Sequence, residues 1–145
     1  MKKVLVLNGP NLGRLGSRQP EIYGSMNLEQ LSGEVTSGGR DLGLDCELRQ
    51  TDSESELIGW IHEATDAKIP VVLNPAAFTH YSYALRDAVA ALTSSGVPLI
   101  EVHISNPHSR EEFRHTSVIS GVASGVIAGF GSKSYLCLLY TSDAA

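Results

Sequence analysis

The run Val4-Leu5-Val6-Leu7, closed by Asn8-Gly9-Pro10, decides the fold. Four consecutive aliphatic residues with no polar alternation read as a strand buried on both faces, as in a parallel sheet covered by helices. Comparable strands follow at Ile69 to Leu73, ending in Asn74-Pro75, at Leu99 to Ile104, and at Gly125 to Ala128 with Val122 and Ala123 nearby. Cys46 to Gln50 alternates enough for a strand at the sheet edge.

Helix-length segments separate these strands. Asn27 caps the first with Gln30 at its third position, and Leu28, Leu31 and Val35 share a face until Gly43. Gly38 and Gly39 each cost about 1 kcal/mol relative to Ala, so this helix is expected to be weak or broken there. Ser53 with Glu56 forms a capping box ahead of the stripe Leu57, Trp60, Ile61 and Ala64. Tyr81, Ala84, Leu85, Ala88 and Leu92 line a third helix that Gly96 and Pro98 stop. Joined by right-handed crossovers, these elements predict an α/β domain of three layers: a five-stranded parallel sheet, doubly wound in the flavodoxin-like manner. Ligands of such sheets sit outside the carboxyl ends of the strands, near the switch in strand order. Chemistry is therefore expected after strands one, three and four.

Composition removes several classes. A chain of 145 residues suits one core, whereas a closed eight-fold barrel needs about 250 residues. Sixteen acidic against 11 basic residues, scattered and netting −5, argue against nucleic acid as a partner. No run approaches the ~18 apolar residues of a membrane span, and four apolar residues after Met1-Lys2-Lys3 are too few for a signal peptide, so a cytoplasmic protein is expected. Cys46 and Cys137 form neither a CxxC motif nor a Cys/His ligand pair, so no metal site and no disulfide framework are expected. G-x-G-x-x-G, GK[ST] and G-x-S-x-G are all missing, and Asn8 and Asn74 stand where a phosphoacceptor domain needs acids.

The polar residues that remain gather at the strand ends. Strand one is followed by Asn8 and Asn11, then by Arg14, Arg18 and Tyr23 in a glycine-punctuated segment long enough for a lid, against the plainer reading of a surface loop. Strand three leads to Asn74, the small Ala76 and Ala77, and His80. On strand four, Glu101 and His103 are two residues apart and share a face. A carboxylate beside an imidazole fixes its tautomer and raises its basicity, which suits a general acid. Ser105 and Asn106 continue the polar run.

Three blocks then resemble the type II 3-dehydroquinate dehydratases. They are Leu7-Asn8-Gly9-Pro10-Asn11-Leu12 with Arg18 and Glu21-Ile22-Tyr23-Gly24; Leu73-Asn74-Pro75-Ala76-Ala77 with His80 and Ser82; and Glu101-Val102-His103-Ile104-Ser105-Asn106 with Arg110-Glu111, Arg114 and Ser117. The resemblance implies dehydration of 3-dehydroquinate to 3-dehydroshikimate by anti elimination through an enolate, without metal or organic cofactor. It implies Tyr23 as base with its pKa lowered by Arg18, Asn11 holding a water against the enolate oxygen, and His103 as acid oriented by Glu101. The substrate carboxylate would rest on the backbone N–H groups of Ile104 and Ser105 with the Ser105 hydroxyl, and Asn74, His80 and Arg114 would bind ring hydroxyls. Asp87 resembles a residue offered to a neighbouring subunit's site, which implies a homo-oligomer, commonly a dodecamer of trimers. An unrelated barrel family performs the same dehydration through a Schiff-base lysine, but Lys2, Lys3, Lys68 and Lys133 all lie outside the candidate site.

The resemblance runs through residues 1–135, taken as one domain. Where the family continues an amphipathic closing helix, residues 136–145 run apolar and then stop, and they are expected to be an atypical tail, foreign or frame-shifted, with a lineage-specific terminus as the alternative. The alternative function is a catalytically silent flavodoxin-like module that binds a small polyhydroxy acid.

Overall fold

The computed structural model describes residues 1–17, 21 and 25–136. The chain runs β1 (Lys2–Asn8), α1 (Leu28–Asp41), β2 (Leu44–Gln50), α2 (Glu54–Ala67), β3 (Val71–Asn74), α3 (Tyr83–Ser94), β4 (Leu99–His103) and β5 (Gly125–Ala128). All five strands are parallel in the order β2-β1-β3-β4-β5, which puts the expected edge strand at one end. The order reverses between β1 and β3, and there Asn8 and Asn74 are register partners at the carboxyl ends of both strands.

The alternation of side chains along β1 divides the core into two halves. Val4 and Val6 pack with Leu31, Val35 and Tyr135 on one face. Leu5 and Leu7 pack with Leu57, Ile61, Leu85, Val89 and Leu92 on the other. Helix α1 therefore covers one side of the sheet while α2 and α3 cover the opposite side, completing the three layers.

Several local expectations change in detail. Helix α1 begins with the full capping box: Asn27 Oδ1 accepts the Gln30 N–H at 2.8 Å and Gln30 Oε1 accepts the Asn27 N–H at 3.0 Å. It then runs unbroken through Gly38 and Gly39 to Asp41, because Gly39 is buried and tertiary packing outweighs its poor propensity. Helix α2 forms only half of its box among the described residues, Ser53 Oγ accepting the Glu56 N–H at 3.1 Å. Ile69 belongs to the helix exit rather than to β3, since its N–H donates to the Ala64 carbonyl beyond Lys68, which adopts a left-handed φ of 56°. On α3 the buried stripe is Leu85, Ala88, Val89 and Leu92, whereas Tyr81 and Ala84 face solvent because the helix is capped only at Ser82.

Where β1 and β3 end, the two backbones nearly touch. The Gly9 N–H donates to the Asn74 carbonyl at 2.8 Å, and a Cβ on Gly9 would lie 2.6 Å from the Pro75 oxygen. Only glycine allows that approach. Residues 133–136 are helical and seat Tyr135 in the core, and Leu136 packs partly against it. Residues 137–145 lie outside the described residues.

Candidate active site

Strand β4 carries a carboxylate into the interior and an imidazole to its mouth. Glu101 is fully buried, and its Oε2 lies 2.5 Å from Nε2 of His103. Thr79 Oγ1 donates to the same oxygen at 2.5 Å, and Ser120 Oγ donates to Oε1 at 2.5 Å. Burial on its own pushes the Glu101 carboxyl up, but the hydrogen bond and charge of His103, with the Ser120 and Thr79 hydroxyls, outweigh it and hold the group below the ordinary carboxylate range. An anion fixed in that way accepts the His103 Nε2 proton, so Nδ1 is the nitrogen left for a ligand.

Around His103, a crevice is lined by Asn11, Asn74, His80, Ile104, Ser105 and Arg114, with Ala76 and Ala77 leaving space between them. Loops after β1, β3 and β4 thus converge at the reversal of strand order, where a doubly wound sheet places its ligands. A wider lobe of about 800 Å³ shares Ile104, Ser105 and Arg110 with the crevice and extends past Glu21, Ser25 and Met26.

Each of these groups is held. Asn11 adopts a left-handed φ of 70°, and its N–H donates to Asp52 Oδ1 at 2.8 Å, which ties the start of the segment to the end of β2. Nδ1 of His80 donates to the Thr116 carbonyl at 2.8 Å, leaving Nε2 as an acceptor. Burial chiefly pushes the His80 pKa down, and the charges of Arg114 and His103 add to that shift against the Thr116 carbonyl and Glu101. Arg114 stacks 4.6 Å over Phe113 and is anchored by Glu111 at 3.1 Å. The Ser105 hydroxyl accepts from Arg110 at 3.2 Å. Asn74 donates from Nδ2 to the Tyr135 hydroxyl at 2.8 Å and accepts the Ala76 N–H at 3.1 Å.

The candidate residues therefore divide into three groups. Asn11, Asn74, His80, His103, Ile104, Ser105 and Arg114 meet in one crevice, with Glu101 directly behind His103. Asp87 is not among the residues lining it; it sits on α3 with its side chain 79% exposed, paired with Arg86 at 3.3 Å. Arg18 and Tyr23 lie outside the described residues. Thr79, Ser120, Asp52 and Tyr135 join the site without a signal in the sequence. Thr79 lies beside His80 and Ser120 lies three residues after Ser117, yet no local pattern connects them to a carboxylate 22 and 19 residues away.

The crevice lining includes two arginines, two histidines and two asparagines, and no carboxylate among the described residues. Such a lining fits an anion rich in hydroxyl groups and offers it one imidazole able to move a proton. No group of three or more His, Cys, Asp or Glu that could hold a metal ion occurs among the described residues.

Comparison with known proteins agrees with that chemistry. A sequence model of the family described as Dehydroquinase class II matches residues 2–142. A 3-dehydroquinate dehydratase of Kineococcus radiotolerans is 58% identical over 133 residues, covering 92% of this chain and 89% of that protein. The 3-dehydroquinate dehydratase of Mycobacterium leprae is 52% identical and covers 100% of this chain and 99% of its own. The crystal structure of type II dehydroquinase from Propionibacterium acnes superposes with a TM-score of 0.96 at 52% identity, over 100% of this chain and 98% of that one.

Proposed function

The chain belongs to the class II dehydroquinase family, whose reaction is the dehydration of 3-dehydroquinate to 3-dehydroshikimate, and from that premise we propose how its residues share the work. Tyr23 takes the proton from C2 beside the ketone. A phenol ordinarily titrates near pH 10, and lowering it by two units means favouring the phenolate by about 2.7 kcal/mol, within reach of the Arg18 guanidinium. The C2–H electrons pass into an enolate, whose oxygen is met by a water held by Asn11.

Collapse of the enolate expels the C1 hydroxyl, which leaves as water after taking a proton from Nδ1 of His103. That nitrogen carries a proton only in the imidazolium, and the Glu101 anion stabilises the imidazolium from behind. The Ile104 and Ser105 N–H groups with the Ser105 hydroxyl receive the carboxylate. Asn74, His80 and Arg114 receive ring hydroxyls, with the neutral His80 Nε2 as an acceptor. The observation that carries this reading is the buried Glu101–His103 pair opening onto a crevice shared with Asn11, Asn74, His80 and Arg114.

Asp87 reaches a neighbouring subunit's site in a homo-oligomer, a dodecamer of trimers acting in the cytoplasm. Support comes from the exposed carboxylate of Asp87 and from the exposed apolar side chains of Tyr81, Phe113, Val126 and Phe130. Among the described residues no helix is long and apolar enough to cross a membrane.

Replacing Tyr23 with Phe tests the assignment. Turnover is expected to vanish while substrate binding stays measurable; unchanged formation of the conjugated enone, followed by ultraviolet absorbance, would remove Tyr23 as the base.

A further inference from the structure

Three buried side chains link β1 to the crevice. Asn8 and Tyr135 are fully buried and Asn74 is 3% exposed, so bulk water has little access to their polar atoms. The direction of every hydrogen bond among them is forced. Asn8 Nδ2 lies 3.0 Å from the Arg49 carbonyl and 3.4 Å from the Val6 carbonyl, and carbonyls only accept. Asn8 therefore turns Oδ1 toward Tyr135, whose hydroxyl donates to it at 2.5 Å. With its single proton so committed, the Tyr135 oxygen can only accept from Asn74, which must present Nδ2, as it does at 2.8 Å. The Ala76 N–H independently requires Oδ1 on the other side of the same amide. Burial pushes the Tyr135 phenol up, so it remains a protonated donor at any working pH.

We propose that Tyr135 is a positioning residue that sets the polarity of the Asn74 amide, so that the helical segment at residues 133–136 governs how the crevice reads a substrate hydroxyl. The inference rests on the reading of Asn74 as a substrate ligand. An amide reversed by 180° would offer its donor where the acceptor belongs, and the backbone carbonyls on β1 and β2 block that reversal through two intervening side chains.

A double-mutant cycle in purified full-length enzyme tests the inference. Tyr135→Phe leaves one buried Asn74 N–H without an acceptor and only the Ala76 N–H to hold the amide, so KM for 3-dehydroquinate should rise about tenfold while kcat falls less. In an Asn74→Ala background the same substitution should leave KM unaltered, because nothing is left to orient. An equal KM increment in both backgrounds, or no increment in either, overturns the relay. An Asn74→Ala enzyme with normal KM overturns the reading of Asn74 itself, and the relay with it. Should Tyr135→Phe not accumulate as folded protein, Asn8→Ala releases the Tyr135 proton instead. A KM rise abolished by Asn74→Ala then supports the relay, and an additive one refutes it.

Discussion

His103 Nε2 lies 2.5 Å from Oε2 of Glu101, a carboxylate with no exposed surface that also receives the Thr79 and Ser120 hydroxyls. A charge placed where water cannot screen it acts on its neighbour far more strongly than the same pair would at the surface. The hydrogen bond and charge of His103, with the Ser120 and Thr79 hydroxyls, keep the carboxylate ionised in spite of its burial.

Glu101→Gln keeps the shape and removes the charge. Support for the imidazolium is lost, and kcat should fall roughly 100-fold, as is common when the orienting partner of a functional histidine is changed. His103→Ala should cost roughly 10³-fold by deleting the proposed acid. Enone formation at saturating substrate checks both, and a normal kcat for His103→Ala would exclude it from the mechanism.

The folded state holds Glu101 below its ordinary value of 4.5, so it binds the proton less readily than the unfolded chain does. Its stabilisation is complete above that ordinary value and fades as pH falls through the lower folded value. The melting temperature of the native chain should therefore exceed that of Glu101→Gln at pH 7, and the gap should narrow below about pH 4.5. A gap that stays constant down to about pH 3 would contradict the direction of the shift.

His80 gives the same sign in a higher window. Its folded pKa lies below the ordinary 6.5, so stability is present above that value and declines as the solution becomes more acidic. His80→Gln should lose less thermal stability than the native chain between about pH 6.5 and pH 5. Parallel melting curves across that interval would show that burial does not oppose protonation of this ring.

Gly9→Ala places a methyl group 2.6 Å from the Pro75 carbonyl oxygen, a backbone atom that cannot swing aside. The two strand ends must separate, at a cost of about 2 kcal/mol by the standard of overpacked sites. Because Asn74 precedes Pro75, activity should fall along with the denaturation midpoint. An unchanged midpoint would mean that the β1 and β3 exits tolerate separation.

The sheet was legible in the sequence because burial on both faces writes continuous aliphatic runs such as Val4 to Leu7 and Val71 to Leu73. The pairing of Glu101 with His103 was legible for a similar reason, since alternation along a strand is a local rule. What escaped were contacts between distant segments. Asp52 holding the Asn11 N–H, or Ser120 capping Glu101, depends on which loops the fold brings together. The integrity of α1 through Gly38-Gly39 was missed for the opposite reason: propensity is a local term, and burial of Gly39 against the sheet overrode it.

Asn8 and Tyr135 bond across 127 residues of chain. Loop closure over such a span costs entropy before any contact returns it, and folds rich in distant pairings form slowly. During synthesis β1, β2 and β3 emerge early and can begin to pair, while the hydroxyl that fixes Asn74 reaches them only after β4 and β5 have been made. Until then Asn8 Oδ1 and one Asn74 N–H lack their partner, and the side chain proposed to bind the ligand is held by the Ala76 N–H alone. Recognition of substrate is in this sense a late event in the life of each molecule, acquired after the sheet that carries it.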